Sequence, residues 1–148
     1  MSQEDIQTDY EAYALAVREQ TAQHLAGLDE LSAIIAKRPL TFNERNAAER
    51  GLQVVVESAI GCAKHYLKSR QKPVPSEARA AIERVYELLA ITEPDIKEMR
   101  GAVGMRNAII HDYLNLDWRV IEPVLKQQKY TAVQLFVKKV LGKLVSSN

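Results

Sequence analysis

Four polar side chains that could take part in chemistry lie close together in the segment "GMRNAIIHDYLNLDW", residues 104–118. They are Arg106, Asn107, His111 and Tyr113, and they interrupt a run of apolar residues. A guanidinium can bind two oxygens of one phosphate as a fork, and an imidazole can accept and donate protons near neutral pH. The segment therefore carries groups suited to phosphate chemistry.

The spacing of the surrounding residues predicts that a helix presents these groups. Met99, Ala102 and Val103 begin an apolar stripe, and further steps of three and four residues lead to Arg106 and then to Tyr113. Residues seven apart on a helix are nearly eclipsed, so Arg106 and Tyr113 share one face. The helix is thus expected to point a permanent positive charge toward packed surface.

A guanidinium on an apolar stripe needs a compensating group, because burying an unpaired charge is very costly. One interpretation is a salt bridge from Arg106 to a core-facing carboxylate such as Glu57, with His111 an ordinary histidine near a helix end. The other is an anionic ligand, most naturally a phosphate, bound where this helix meets another chain. Asn107 and His111 are four apart and share a neighbouring face. The spacing alone leaves both interpretations open.

Start and stop signals divide the chain into helices. Apolar residues recur three and four apart from Ile6 to Ile35, and Pro39 should close this first helix. Thr41 and Glu44 then have the spacing of a capping box that opens the second helix.

The later helices have similar signals. Ser76 is the predicted N-cap of a third helix, and Thr92 that of a fourth, which should run from about Glu93 through the motif. Asp117 can cap the next helix, which Pro123 should kink or delay, and residues 131–144 are amphipathic. These patterns predict an all-α fold, a single-domain up-and-down bundle of four to five helices spanning residues 1–148.

Composition narrows the class of protein. The 148 residues are 47% hydrophobic and 26% charged with a net charge of +1, which is typical of a soluble globular protein and neither demands nor excludes a nucleic-acid partner. Cys62 is the only cysteine and lies in an apolar run, so a buried structural thiol is expected. There is no membrane-length apolar segment and no signal-peptide pattern at the N-terminus, so we expect a cytoplasmic protein without a membrane partner.

Other reactive groups do not suggest a cofactor or a metal. His24 and His65 lack a carboxylate at ligand spacing, and Gly101 and Gly104 lack the lysine of a phosphate-binding loop. The basic segment "KHYLKSRQK", residues 64–72, could contact RNA phosphates, although a solvated helix end is the simpler interpretation. No metal site and no cofactor are therefore predicted.

The stretch "RNAIIHDY" resembles the R-x4-H-x-Y signature of HepT toxins in the HEPN superfamily of helical nucleotide-binding domains. The segment "ERGLQVVVESAIGCAKHYL" is similar to the second helix of such proteins. The resemblance extends from Leu31 to the C-terminus, and the first thirty residues match less distinctly.

The resemblance implies a function and a set of site residues. Arg106 and His111 would form the site of a metal-independent endoribonuclease, with Asn107 as a supporting polar neighbour. Tyr113 would be the residue to which a nucleotidyltransferase antitoxin adds AMP. The implied active unit is a homodimer in which two motifs face each other, and the implied substrate is RNA.

Two alternatives accompany this expectation. One is a non-catalytic HEPN protein that binds a nucleotide or serves as an accessory subunit of a nucleotidyltransferase, and the intact motif argues against it. The other is a plain helical interaction protein in which the motif is a buried ion pair.

Overall fold

Helices joined by short loops account for nearly all of the chain. The computed structural model describes residues 2–112 and 114–146. Within these residues there are six helices: α1 (Gln3–Ile35), α2 (Phe42–Ser69), α3 (Ala78–Leu89), α4 (Ile96–His111), α5 (Trp118–Lys126) and α6 (Tyr130–Leu144). The predicted all-α bundle is confirmed, with six helices among the described residues where four or five were expected.

The starts of α1 and α2 are fixed by capping boxes. At α2, the Thr41 hydroxyl accepts from the Glu44 backbone N–H and the Glu44 carboxylate accepts from the Thr41 N–H, as predicted. Ser2 and Asp5 make the same reciprocal pair, so α1 begins at Gln3 rather than at Ile6. Each box satisfies N–H groups that have no partner inside the helix.

Helix α2 is the centre of the bundle and packs against α1, α3, α4 and α6. The three valines at 54–56 are buried within it, because a helix surrounded on several sides tolerates β-branched residues on more than one face. At Gly51 the helices approach closely, since an added Cβ would lie 3.1 Å from Cδ2 of Leu28 on α1. This packing holds the α2 side chains in fixed positions beside α4.

The predicted starts of α3 and α4 are wrong by one to three residues. The N-cap of α3 is Glu77 rather than Ser76, and the Ser76 carbonyl instead accepts a hydrogen bond from Lys64. The N-cap of α4 is Asp95 rather than Thr92, and its carboxylate accepts from the Lys97 N–H. In α4 a tertiary contact explains the error: the carbonyl of buried Pro94 accepts from the Tyr86 hydroxyl at 2.7 Å, which keeps that residue out of the helix.

Asp117 caps α5 as predicted, and its carboxylate accepts from the Arg119 N–H. The helix continues through Pro123 and ends at Lys126, where a turn leads into α6. A single cluster of buried residues draws on all six helices, with Phe136, Leu52, Ile82, Met99 and Ile121 among its most enclosed side chains. Among the described residues, no helix is both long enough and apolar enough to cross a bilayer.

Candidate functional site

The buried face of α4 determines where the motif points. Met99, Val103 and Ile109 are buried against the bundle, as the apolar stripe predicted. Arg106 lies on the edge of that stripe, and its side chain is only 21% exposed. The helix therefore turns a guanidinium toward α2, and the surrounding packing limits where that group can go.

Arg106 is held by two neighbours that use different nitrogens. Its Nε donates to Oε1 of Glu57 on α2, and its Nη1 donates to Oδ1 of Asn107 at 2.7 Å. The predicted ion pair between Arg106 and Glu57 is therefore confirmed. A partly buried guanidinium needs such pairing, because burial removes some of the water that would otherwise solvate the charge.

The pairing leaves part of the guanidinium unused. No described residue accepts a hydrogen bond from Nη2 of Arg106. A guanidinium has five donors, and the two contacts above use only two of them. Glu57 and Asn107 thus orient the group while donors remain for an incoming anion.

His111 occupies a different position. It is the last residue of α4, and its side chain is exposed and makes no hydrogen bond to the described residues. Five residues along a helix correspond to a rotation of about 140° and a rise of about 7.5 Å. Within one chain, His111 therefore lies on a different side of α4 from Arg106, although it is one helical turn from Asn107. The predicted role of Tyr113 cannot be placed, because that residue lies outside the described residues.

Arg106 and Asn107 open onto a cavity of about 400 Å³ between α2, α3 and α4. Its floor is apolar, made by buried Ile60 and Val103. Its rim is polar and includes Lys64 from α2 and residues 76–79 at the start of α3. Lys64 belongs to the basic segment of residues 64–72, whereas nothing in the local sequence around Arg79 indicates that this arginine faces the motif.

A second groove, of about 510 Å³, lies on another side of α4 and is mostly apolar. Gly101, Gly104 and Ala108 line it from α4, and Val120 and Val124 line it from α5. Val120 is 56% exposed in the single chain. This groove contains none of the polar motif residues, so it provides packing surface rather than chemistry.

The other candidate groups behave as structural or surface residues. Cys62 is fully buried, and burial raises the pKa of its thiol to about 12, so it is an unreactive thiol at neutral pH. His65 is exposed and stacks on Tyr13 with ring centroids 3.9 Å apart, and His24 is half-buried on α1. Within residues 2–112 and 114–146, no group of three or more His, Cys, Asp or Glu side chains is arranged to hold a metal ion.

Comparison with known proteins relates this arrangement to a family. A family model described as ribonuclease HepT-like matches residues 22–140. The mRNA nuclease HepT of Shewanella oneidensis is 31% identical over 78 residues, which cover 51% of this chain and 59% of that protein. The match thus spans less than two thirds of that relative's length.

A solved structure supports the fold. One chain in a crystal structure of a toxin–antitoxin with AMP-PNP superposes with a TM-score of 0.72 at 18% identity, covering 86% of this chain and 96% of that one. The family match includes all of α2 to α5 and with them the Arg106–His111 motif. The chain therefore belongs to the HepT-like family of the HEPN superfamily, as its R-x4-H-x-Y motif indicated.

Proposed function

We propose that this protein is the toxin ribonuclease of a toxin–antitoxin system and cleaves RNA without a metal ion. The observation that carries the proposal is the state of Arg106: a half-buried guanidinium, fixed by Glu57 and Asn107, with a donor left over at the edge of a cavity. Family membership and the named nuclease from Shewanella oneidensis support the same activity.

The proposed reaction uses the 2′-hydroxyl of RNA as the nucleophile. A base removes the 2′ proton, the 2′ oxygen forms a bond to the adjacent phosphorus, and the bond from phosphorus to the 5′ oxygen of the next nucleotide breaks. An acid donates a proton to that leaving oxygen, giving a 2′,3′-cyclic phosphate and a 5′-hydroxyl end. This chemistry needs proton transfer and positive charge at the phosphate, which His111 and Arg106 can supply.

We place the complete site at the interface of a homodimer. The separation of Arg106 and His111 around α4 favours this arrangement, because a second subunit facing the motif would bring its own Arg106 and His111 to the same cleft. Two histidines would then serve as acid and base. The apolar groove along α4 offers packing surface next to the motif. Light scattering of the purified chain should give the mass of a dimer or a larger assembly, and a strict monomer at micromolar concentration would remove the composite site.

The proposed inhibitor is a nucleotidyltransferase antitoxin that adds AMP to Tyr113. The family resemblance supports this, and so does the shared fold with a chain from a toxin–antitoxin crystallised with AMP-PNP. An attached AMP would place a negative charge close to the motif and compete with RNA phosphate for Arg106. Mass spectrometry of the co-expressed pair should find AMP on the peptide containing Tyr113, and Tyr113→Phe should escape it. Silencing of the toxin with every tyrosine unmodified would contradict this mechanism.

The test of the activity is an RNA cleavage assay on protein purified in EDTA. Wild-type protein should cut RNA and leave 2′,3′-cyclic phosphate ends, and it should not cut the same oligonucleotide with a deoxynucleotide at the cleavage position. His111→Ala should slow cleavage by about 10² to 10⁴ fold, the usual contribution of general acid–base catalysis.

His24→Ala is the matched control for that variant, because His24 is a half-buried histidine on α1, and it should retain activity. A strict requirement for added metal would contradict the proposed mechanism. Full activity in folded His111→Ala would remove that residue from the site.

A further inference from the structure

The cavity beside Arg106 brings basic side chains from three helices together. Lys64 on α2, Arg79 on α3 and Arg106 on α4 all line it, and Glu77 is the only carboxylate among its described lining residues. These residues are far apart in the sequence, so the arrangement is a product of the fold. Glu57 and Glu83, the carboxylates that pair with two of these cations, are not among its described lining residues.

The two arginines share one contact, a hydrogen bond from Nε to a glutamate. Arg79 donates through Nε to Glu83 at 2.9 Å, as Arg106 does through Nε to Glu57. No described residue accepts a hydrogen bond from the terminal nitrogens of Arg79 or from Nη2 of Arg106. Each guanidinium is therefore anchored at its Nε while terminal donors remain for an anion.

The neighbouring groups keep Glu83 ionised and Lys64 in place. Glu83 also accepts from Nε of Arg100 at 2.9 Å, and hydrogen bonds from Arg79 and Arg100 lower the pKa of its carboxyl. Lys64 donates to the Ser76 carbonyl at 3.0 Å, which uses one of the three ammonium donors. The ammonium is thus fixed at the rim of the cavity with two donors left.

We propose that this cavity is the subsite for a nucleotide adjacent to the scissile phosphate, with Lys64 and Arg79 binding the flanking phosphate of a single-stranded RNA. The inference rests on the proposed function. It adds a path for the RNA strand, which would run from Arg106 outward between α2 and α3. The apolar floor of Ile60 and Val103 suits the sugar or base face of that nucleotide, and the volume of about 400 Å³ is within the range of small-ligand pockets. Glu77 opposes binding by like-charge repulsion.

The experiment measures cleavage of a mixed-sequence RNA oligonucleotide whose cut position has first been mapped. Lys64→Ala and Arg79→Ala should each raise KM by about tenfold with kcat little changed, the loss expected for a hydrogen bond to a charged group. The slope of log KM against log salt concentration should fall by about 0.7 for each phosphate of the single strand that a variant no longer binds. Glu77→Gln should lower KM, because it removes a negative charge beside the RNA. A purely structural role of the cavity residues would not produce a lower KM.

Two controls are matched by charge and helix. Lys68→Ala removes an exposed lysine one turn after Lys64, and Arg84→Ala removes an arginine of α3 that pairs with Glu87 outside the cavity. Both should leave KM unchanged. Circular dichroism and melting temperature confirm the fold of each variant.

Chemical substitution identifies the phosphate. A neutral methylphosphonate next to the cut position, on the 5′ or the 3′ side, should raise the wild-type KM at one of the two positions. The same substitution should have no further effect in the Lys64→Ala/Arg79→Ala double variant. Wild-type protein that cuts RNA, with KM unchanged in both single variants, overturns the subsite and leaves the proposed function standing. Wild-type protein that does not cut RNA at all overturns both.

Discussion

Two arginine–glutamate pairs in this bundle have the same chemistry and different surroundings. Arg38 and Glu44 meet at the corner between α1 and α2, where Nη1 and Nη2 of Arg38 bind both carboxylate oxygens and Nη1 also donates to the Pro39 carbonyl. Glu44 in turn accepts from the Thr41 N–H at the start of α2. This pair uses its hydrogen bonds to close a turn and cap a helix.

The pair of Arg106 and Glu57 is arranged differently. Glu57 engages only Nε of the arginine, Asn107 engages Nη1, and the guanidinium faces a cavity with Nη2 unused by the described residues. Arg106 is also less exposed than Arg38, at 21% against 50%. The partners of an arginine are therefore a poor guide to its role, whereas the donors that they leave unused and the space in front of those donors are informative.

We expect the two pairs to differ most in RNA cleavage when lysine replaces the arginine. This change keeps the positive charge and removes the planar guanidinium. Arg106→Lys should lower the RNA cleavage rate by about a hundredfold, because an ammonium lacks the planar, bidentate fork that lets a guanidinium bind phosphate through its terminal nitrogens while its Nε stays on Glu57. Arg38→Lys should leave that rate unchanged. The measurement is single-turnover cleavage of a labelled RNA, and wild-type rates in Arg106→Lys would show that only charge is needed there.

A smaller loss is expected when the anchor of Arg106 is weakened. Glu57→Gln should lower kcat by about tenfold, since the guanidinium loses its charged support and misplacement of a catalytic group is costly. KM should stay the same or fall, because a negative charge next to the RNA has been removed. Glu87→Gln on α3 is the control for loss of a paired carboxylate. A higher KM with unchanged kcat would contradict the positioning role of Glu57.

The Arg38–Glu44 pair should affect the stability of the fold rather than RNA cleavage. Hydrogen bonding from Arg38 and from the Thr41 N–H lowers the pKa of Glu44 from its ordinary value of 4.5 to about 2. A carboxyl whose folded pKa is depressed stabilises the fold at neutral pH, and this contribution disappears as the pH falls from about 4.5 to about 2. Glu44→Gln should therefore melt below wild type at neutral pH, and the difference should shrink through that acid range. A difference that is independent of pH would mean that the carboxylate charge does not matter.

Much of the fold could be predicted from local sequence because local signals determine it. The capping box at Thr41 and Glu44, the cap at Asp117 and the apolar stripe through Met99 and Val103 all appear where expected. The predicted start of α4 is too early, because the Tyr86 hydroxyl donates a hydrogen bond to the Pro94 carbonyl. No local sequence pattern encodes that contact.

The candidate site, too, could be predicted only in part from the sequence. An arginine on an apolar stripe implied a compensating group, with a carboxylate such as Glu57 as one of two candidates, and Glu57 is a partner of Arg106. The meeting of Arg79 and Lys64 with Arg106 could not be predicted, because it depends on how α2, α3 and α4 pack together. The relation of Arg106 to His111 across a dimer stays a prediction, since the two lie on different sides of α4 within one chain.

The most direct test of the central claim compares Arg106→Ala with Arg38→Ala in two assays run side by side, RNA cleavage in EDTA and thermal melting. We expect Arg106→Ala to lose cleavage by at least about a hundredfold while melting close to wild type, because its neighbour Glu57 remains partly exposed to water. We expect Arg38→Ala to cut RNA at the wild-type rate while melting at a lower temperature. A folded Arg106→Ala that cuts RNA as fast as Arg38→Ala would contradict the assignment of the site.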